Sequence, residues 1–283
     1  MTDKFQSYLP KNHKFKNILY KKDGYKSTIT INREKKLNCL DLLTINELTL
    51  AFKDSSWDDQ IAVIVLTGTG KRAFSTGADL DEQEKYFLKN PDDYYKWMYE
   101  FIQLHEVMRN VGKPTIARLN GMVVGGGNEL NMSCDLAIAS DHIIIKQVGA
   151  ARGSVAAAGA TQFLPLIVGD RRAREILFLC EDIPVMKALD WGLVNQVVPF
   201  EELDKAVDIL AEKLFNKLPE CLRFTKQQIN FWRDLSWHTT IGSARDWLSI
   251  HNLSEEVTEG ISAFNEKRKI NYKKVRTKGK KKQ

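Results

Sequence analysis

Three consecutive glycines set between apolar stretches constrain this chain more than any other feature. They occupy positions 125–127 of a segment, residues 113–135, that reads KPTIARLNGMVVGGGNELNMSCD. The residues before them are apolar and β-branched, and those after them alternate apolar and small side chains, as at the start of a buried helix. We predict a strand, a glycine turn and a helix. Such a turn lets backbone approach a ligand closely, and the helix N-terminus directs free N–H groups at negative charge.

Glu129 is the second residue after the glycines and would lie one turn into this helix. In an apolar pocket its pKa would rise, which suits proton exchange near neutral pH. The alternative is a tight turn between buried elements, with Glu129 as a solvated or capping carboxylate. The glycines alone leave both interpretations open.

A second segment, residues 65–79, reads VLTGTGKRAFSTGAD and favours the first interpretation. It follows the apolar run at 61–66, which has the length and β-branched content of a buried strand, and it ends in the small-residue turn Gly77-Ala78-Asp79. Two turns that each leave a strand can direct one backbone N–H apiece at the same oxygen. That arrangement is an oxyanion hole, which stabilises charge as it develops on a carbonyl.

Together the two segments resemble the paired signature of the crotonase (enoyl-CoA hydratase/isomerase) superfamily. The resemblance covers nearly the whole chain, from ITINR at 29–33 through ALDWGLVNQVVP at 188–199 to the final helix. It implies an α/β fold, a crotonase (ClpP-like) spiral of ββα units with a helical C-terminal trimerisation segment. It also implies assembly as a homotrimer or a dimer of trimers.

The order of predicted elements agrees with this division. We expect a loosely ordered segment at 1–17, a spiral core with the acyl-CoA site at 18–200, a helical segment at 201–272 and a basic tail at 273–283. From Asp170 onward the pattern predicts helices throughout, including helices at 219–235 and 240–269. The aromatic-rich stretch 82–110 predicts helices over the pocket mouth whose aromatic side chains serve packing.

The resemblance also implies roles for single residues. In the family two backbone N–H groups hold the thioester oxygen of an acyl-CoA, and the matching positions here are Ala78 and Gly126. The glutamate after the glycines matches Glu129, one of two that hold and split a water molecule. Coenzyme A is then part of the substrate and no separate cofactor is expected. Further contacts to CoA or substrate are expected from Lys36, Gly77, Asp79, Gly125, Gly149, Phe264 and Lys267.

Gly149 is the main departure from the family pattern, because it occupies the position of the second glutamate. We expect the loss of one acid/base group and extra space in the pocket, which puts simple two-glutamate hydration in doubt. Gln147, Arg152 and Ser154 are close in sequence. They could position water or a second carbonyl, or they could serve only as hydrogen-bonding residues of the loop.

The final helix resembles the family element that reaches coenzyme A bound mainly to a neighbouring subunit. Phe264 would stack on adenine and Lys267, one helical turn later, would meet phosphate. The alternative is that Phe264 anchors the helix to its own core. Asp81 occupies a position that is often a CoA-binding lysine in relatives, so phosphate binding should depend more on Lys267, with Lys35 or Lys36.

The expected activity is water addition to an α,β-unsaturated CoA thioester. Residues 218–251 and 259–269 also resemble a narrower branch that acts on alicyclic thioesters, the dienoyl-CoA hydratases and 6-oxocyclohex-1-ene-1-carbonyl-CoA hydrolases. A ring-opening hydrolase and an enoyl-CoA isomerase are therefore alternatives. A different class is an RNA-binding relative that uses the basic tail.

Composition bounds these expectations. Ten of the Lys and Arg residues lie after residue 265 against one acid, so the first 265 residues carry 32 basic and 35 acidic residues, a net charge of −3. We interpret the basic end as solvated and expect no nucleic-acid partner. No apolar run has the length of a membrane span, so we expect a cytoplasmic protein. The four widely spaced cysteines predict reduced thiols and no metal site.

Overall fold

A computed structural model describes residues 7–10 and 12–277 of the chain. The strands in this part of the chain are β1 (Ile18–Asp23), β2 (Lys26–Ile31), β3 (Val63–Gly68), β4 (Ala73–Ser75), β5 (Thr115–Leu119), β6 (Met122–Val124), β7 (Leu136–Ser140), β8 (Ile144–Lys146), β9 (Ile183–Pro184) and β10 (Gln196–Val198). The helices are α1 (Leu42–Trp57), α2 (Leu80–Glu82), α3 (Pro91–Asn110), α4 (Gly126–Ser133), α5 (Leu164–Val168), α6 (Asp170–Leu179), α7 (Val185–Asp190), α8 (Leu203–Phe215), α9 (Pro219–His251), α10 (Glu255–Asn265) and α11 (Tyr272–Thr277).

The strands form two mixed sheets between which the chain alternates. The larger sheet has the order β1-β2-β3-β5-β7-β10, and the smaller has the order β4-β6-β8-β9. All neighbours are parallel except the pairs β1/β2 and β8/β9. In each of the successive strand pairs β3/β4, β5/β6 and β7/β8, the first strand lies in the larger sheet and the second in the smaller sheet. Two mixed sheets followed by helices confirm the predicted α/β class.

The central strand β3 shows why the apolar run at 61–66 forms a strand here. Every residue of Val63–Gly68 is buried, since β2 and β5 flank it and apolar side chains cover both of its faces. A parallel strand buried on both faces needs such a continuous apolar sequence rather than an alternating one. β3 leads into β4 and then into the turn at Gly77.

The start of the chain is held by two buried carboxylates of α1 where the structure describes it. Asp54 accepts hydrogen bonds from the Ser7 hydroxyl at 2.6 Å and the Tyr8 N–H at 2.7 Å. Glu47 accepts the N–H groups of Lys16 and Asn17, both at 2.7 Å. The segment that the sequence predicts to be loose is therefore tied to α1, and it leads into β1.

The C-terminal third differs from the sequence prediction in two ways. The prediction of helices alone after Asp170 is wrong, because β9 and β10 complete the edges of the two sheets. The predicted helices at 219–235 and 240–269 are also wrong in their division. A single helix, α9, runs from Pro219 to His251, and α10 starts after Ser254, whose hydroxyl accepts the Val257 N–H.

Helix α9 is anchored against α3 by a buried polar and aromatic cluster. Trp237 is fully buried, stacks on Phe163 with ring centroids 5.6 Å apart, and donates its indole N–H to Glu106 at 2.9 Å. Arg109 of α3 pairs with Asp234 of α9 in the same interior. The opposite face of α9 is apolar yet exposed, with Phe231 73% and Trp232 71% accessible.

The structure also bears on the expectations about membrane spans, cysteines, metal ligands and the basic tail. None of the described helices is both long and apolar enough to cross a membrane. All four cysteines carry free thiols, of which Cys39, Cys134 and Cys180 are buried and Cys221 is exposed. Within residues 7–10 and 12–277 no group of three His, Cys, Asp or Glu side chains could hold a metal ion. The lysine run of the predicted basic tail, residues 278–282, lies outside the described residues.

Candidate active site

A cavity of about 560 Å³ opens where the two glycine turns meet. Its walls come from the two turns, the aromatic face of α3, the loop after β8, and helices α9 and α10. Nine of the ten residues that the sequence predicts for the site line this cavity, namely Lys36, Gly77, Ala78, Asp79, Gly125, Gly126, Glu129, Gly149 and Phe264. The tenth, Lys267, does not line it.

The two turns are in direct backbone contact. Gly77 has a positive φ of 80°, and a Cβ atom added there would lie 2.7 Å from the Gly126 nitrogen. A Cβ on Gly126 would lie 3.1 Å from Cζ of Phe101 and 3.3 Å from the Gly77 Cα. A side chain at Gly77 would therefore force the turns apart and requires a strained backbone, whereas one at Gly126 would have to displace the Phe101 ring and the Gly77 backbone slightly.

Each turn leaves one backbone N–H free of a backbone partner. The Gly77 carbonyl accepts the Leu40 N–H at 2.8 Å and the Leu40 carbonyl accepts the Asp79 N–H at 3.0 Å, which turns the intervening Ala78 N–H away from this bridge. Gly126 is the first residue of α4, where an N–H has no intrahelical acceptor. Among the described residues no carbonyl accepts from either group. Both N–H groups therefore stay available to an oxygen in the cavity.

Glu129 lies in the first turn of α4 and is buried, with 4% of its surface accessible. Its N–H bonds to the Gly125 carbonyl at 3.2 Å, which ties the carboxylate to the glycine turn. Burial raises the pKa of Glu129 well above its ordinary value, because desolvation disfavours the charged form. The side chain faces a cavity with apolar walls, and the structure therefore disagrees with the alternative of a solvated carboxylate.

Three aromatic rings of α3 stack along the wall beside the turns. Tyr94 and Trp97 have ring centroids 6.0 Å apart at 18°, and Trp97 and Phe101 have centroids 5.2 Å apart at 27°. The spacing of three and four residues places them on one helix face. The sequence assigned these aromatics to packing. The structure gives them both roles, because the same rings pack together and line the cavity.

Asp79 and Lys36 line the cavity with their charges already paired. Asp79 accepts a hydrogen bond from Arg33 at 2.8 Å and the N–H groups of Asp81 and Glu82. Burial acts to raise the pKa of Asp79, but the bonds from Arg33, the Cys39 thiol and the Glu82 N–H outweigh it and hold that pKa below its ordinary value. Lys36 forms an exposed ion pair with Asp81.

Gly149 lines the cavity but does not open the space that the sequence predicts. A Cβ added there would lie 2.9 Å from both the Ala156 nitrogen and the Ser154 oxygen. The loop folds back over this position, and its Ser154 N–H bonds to the Gly149 carbonyl at 2.9 Å. The expectation of extra room is wrong, since backbone fills the space that a side chain would need.

Helix α10 lies over the cavity of its own chain. Phe264 lines that cavity, and the Arg152 guanidinium lies 5.1 Å from its ring centroid. The predicted common helical face of Phe264 and Lys267 is also wrong. The helix ends at Asn265, and Lys267 has a positive φ of 54° that closes the helix end through hydrogen bonds to Phe264 and from Arg268 to Ala263.

Three buried nitrogens in the cavity wall have no hydrogen-bond partner among the described residues. They belong to Gln83, Trp97 and Gln147, which are 6%, 3% and 1% exposed. The sequence singled out Gln147 but neither of the others, because an aromatic or an amide within a helical stretch carries no local signal of a cavity. Buried polar atoms normally have partners, so a ligand is the natural candidate to supply them.

Comparison with known proteins agrees with this geometry. Residues 26–276 match the sequence profile of the enoyl-CoA hydratase/isomerase family. An enoyl-CoA hydratase from Mycobacterium avium subsp. paratuberculosis K-10 matches with a TM-score of 0.83 and 25% identity, over 92% of this chain and 99% of that one. An enoyl-CoA hydratase from Bacillus anthracis matches with a TM-score of 0.74 and 30% identity, over 91% and 99%. An enoyl-CoA hydratase/isomerase from Xanthobacter autotrophicus Py2 matches with a TM-score of 0.83 and 25% identity, over 89% and 94%.

The two sheets with their C-terminal helices and the paired turns define a protein of the crotonase class. The profile match spans most of the chain. The chain belongs to the enoyl-CoA hydratase/isomerase family.

Proposed function

We propose that this protein adds water across the double bond of an α,β-unsaturated CoA thioester. The Ala78 and Gly126 N–H groups bind the thioester oxygen and stabilise the enolate that forms when water attacks the β-carbon. Glu129 takes the proton from that water. The observation that carries the proposal is the direct contact of the two turns beside a buried carboxylate with a raised pKa.

Replacing the proposed base tests the assignment. Glu129→Gln should lower kcat by about two or more orders of magnitude, the scale of a lost acid/base group, while acyl-CoA binding is kept. Crotonyl-CoA hydration is followed by loss of the enoyl absorbance, and Glu212→Gln, a change of an exposed residue of α8, serves as the control. Unchanged turnover of every enoyl thioester tried would rule out Glu129 as the base.

An isomerase would use the same groups without water. Moving the double bond of a 3-enoyl thioester into conjugation requires a carboxylate to carry a proton from the α-carbon to the γ-carbon, and one glutamate suffices for that. A 3-enoyl-CoA offered beside crotonyl-CoA separates the two activities, because only an isomerase consumes the former in a buffer that contains no other enzyme.

A second candidate function is a reaction on a thioester whose acyl group carries an additional oxygen. The unpartnered nitrogens of Gln83, Trp97 and Gln147 favour such a substrate. An unpaired buried donor costs about 1–3 kcal/mol, which a ring carbonyl or hydroxyl could recover. A ring-opening hydrolase of an oxocyclohexene-carbonyl thioester fits this description. If kcat/KM for such a thioester exceeds that for crotonyl-CoA, and Trp97→Phe removes the excess, this candidate replaces simple hydration.

We propose that the phosphates of coenzyme A bind at the cavity mouth, where Lys36 lies, with Phe264 beneath the adenine and Lys267 nearby. Asp81 competes for Lys36. Asp81→Asn should therefore lower KM for acyl-CoA about two- to fivefold, the scale of an exposed ion pair, and Lys36→Ala should raise it. Asp93→Asn, which breaks the comparable exposed pair with Lys96, should leave KM unchanged.

We also propose that the protein self-associates as a trimer or a dimer of trimers. The exposed apolar face of α9 supports this, because monomeric proteins rarely expose several neighbouring large apolar side chains.

RNA binding by the basic tail remains the candidate function from a different class. The test is deletion of the residues after Tyr272. If the shortened protein loses RNA retention but keeps full acyl-CoA turnover, RNA binding is an activity separate from catalysis.

A further inference from the structure

The proposed hydration needs a second proton transfer that Glu129 does not explain. Water addition delivers hydroxide to the β-carbon and a proton to the α-carbon, so one group must accept a proton while another donates one. The position expected to hold the second glutamate is Gly149, and the loop backbone leaves no space for a side chain there. Any second group must come from another wall of the cavity.

Tyr94 stands on the α3 wall of the same cavity and is half-buried. Its ring is held by the stack on Trp97, which in turn stacks on Phe101 beside the Gly126 turn. A phenol fixed in this way loses little freedom on meeting a substrate. The stack therefore holds the Tyr94 ring in place in the wall of the cavity.

The Tyr94 hydroxyl also has polar neighbours that suit proton transfer. Ser154 of the loop after β8 and Glu129 line the same cavity as Tyr94, and the charge of Glu129 acts on the Tyr94 hydroxyl. Burial, with the charge of Glu129 as a smaller cause, raises the pKa of Tyr94 above its ordinary value. The phenol is therefore protonated at neutral pH and has a proton to donate.

We propose that Tyr94 is the second catalytic residue, which donates the proton to the α-carbon. This inference rests on the proposed hydration. The Glu129 carboxylate takes a proton from water, whose oxygen bonds to the β-carbon as the double-bond electron pair moves to the thioester. The enolate then takes the Tyr94 proton at the α-carbon. The phenolate then regains a proton from solvent water at the cavity mouth and Glu129 releases its proton to solvent, which leaves both residues as they began.

Replacing the phenol by phenyl tests the role with little change in shape. Tyr94→Phe should lower kcat about 100-fold, within the range of a lost acid/base group, with KM changed less than about twofold. Tyr99→Phe removes a hydroxyl from an exposed tyrosine of the same helix and should leave both constants unchanged.

A second readout separates proton transfer from packing. In D₂O the enzyme should exchange the α-hydrogen of the hydrated product, and Tyr94→Phe should slow this exchange by the same factor as turnover. A Tyr94→Phe enzyme with turnover within twofold of the parent, beside an inactive Glu129→Gln enzyme, would overturn the role of Tyr94 alone. If both variants keep full turnover, the assignments of Glu129 and Tyr94 both fail, whereas a parent enzyme that hydrates no enoyl thioester would overturn the proposed hydration itself.

Discussion

Burial of Glu129 has opposite effects on its proton chemistry and on the stability of the folded protein. Its backbone completes the glycine turn, while its carboxyl group lies where water is excluded. Desolvation that prepares the group for proton exchange also makes its charged form costly to the folded protein. The chemistry and the stability of the protein should therefore depend on pH in opposite directions.

The stability effect can be measured. The carboxyl of the unfolded chain loses its proton near pH 4.3, about the ordinary value, whereas the folded protein keeps it until a higher pH. Stability thus falls as pH rises between these two pKa values and is level above the folded one. Glu129→Gln removes this loss and should become more stable than the parent, by about 1.4 kcal/mol for each unit by which the pKa is raised.

Urea unfolding across a series of pH values checks this prediction. The exposed Glu212→Gln provides the control, since its carboxyl group is open to water in either state. A difference between parent and Glu129→Gln that stays constant with pH would mean that Glu129 ionises as readily in the folded protein as in the unfolded chain.

The contact between the two turns gives a second prediction for single residues. Gly77→Ala and Gly169→Ala both place a side chain at positive φ, in backbone conformations that cost about 1–3 kcal/mol of stability. Only the first introduces a clash, because a Cβ on Gly169 meets no atom within 4 Å. Gly77→Ala should therefore also lower kcat about 100-fold or more by displacing an oxyanion donor. Equal turnover in the two variants would contradict the assigned hole.

Local sequence was sufficient to predict the turns and Glu129 but not the surroundings of Gly149. Glycine runs between apolar strands signal close backbone approach wherever they occur. Whether space lies beside Gly149 depends instead on where residues 154–156 fold back, which no local pattern encodes. The predicted common helical face of Phe264 and Lys267 was wrong for a similar reason, since the helix ends two residues before Lys267 by a backbone motif usually built on glycine.

Among the helices and strands, α10 encloses the cavity by covering the site. It approaches the loop after β8 so closely that a Cβ on Gly153 would lie 2.8 Å from the Val257 Cα, and a Cβ on Gly260 would collide with the Arg152 carbonyl oxygen. This close approach brings Val257, Ile261 and Phe264 over the site. Binding of acyl-CoA should thus depend on how well α10 docks.

Two glycine-to-alanine changes in helices test this dependence. Gly260→Ala should destabilise the protein and raise KM, despite the better helix propensity of alanine, because it pushes α10 away from the loop. Gly242→Ala in α9 meets nothing within 4 Å and should stabilise the protein by about 0.5–1 kcal/mol with KM unchanged. Thermal unfolding and acyl-CoA titration of both variants give the answer, and a normal KM for Gly260→Ala would disprove the role of docking.

Short elements and helix junctions were the part of the fold that sequence could not predict. β9 and β10 have two and three residues, fewer than any periodicity can show, and they exist because β8 and β7 offer partners. The continuation of α9 past residue 235 depends on Trp237, which is buried against α3. In both cases a contact with a distant part of the chain determines the local conformation.

For the whole molecule, the exposed apolar face of α9 should decide the state of association. Trp232→Glu places a charge on that face and should shift sedimentation toward a smaller species, because burying an unpaired charge is costly. Leu19→Glu, at a site 53% exposed on the edge strand β1, should leave sedimentation unchanged. Identical sedimentation of Trp232→Glu and the parent would exclude this face as the interface.

The same variant tests whether one chain is sufficient for activity. Since the cavity walls, including Phe264, come from one chain, the dissociated Trp232→Glu protein should still bind acyl-CoA. Loss of binding together with loss of association would instead support a site completed by a neighbour.

The contrast between one exposed and three buried thiols makes the chain suited to single-site labelling. Burial raises the pKa of Cys39 and of Cys134 to about 12 each, so neither forms the reactive thiolate at neutral pH. Cys180 is also buried, whereas Cys221 is exposed in the first turn of α9. A maleimide fluorophore should therefore attach once per native chain, next to the face on which self-association is proposed. Energy transfer between differently labelled chains would then report assembly without any engineered cysteine.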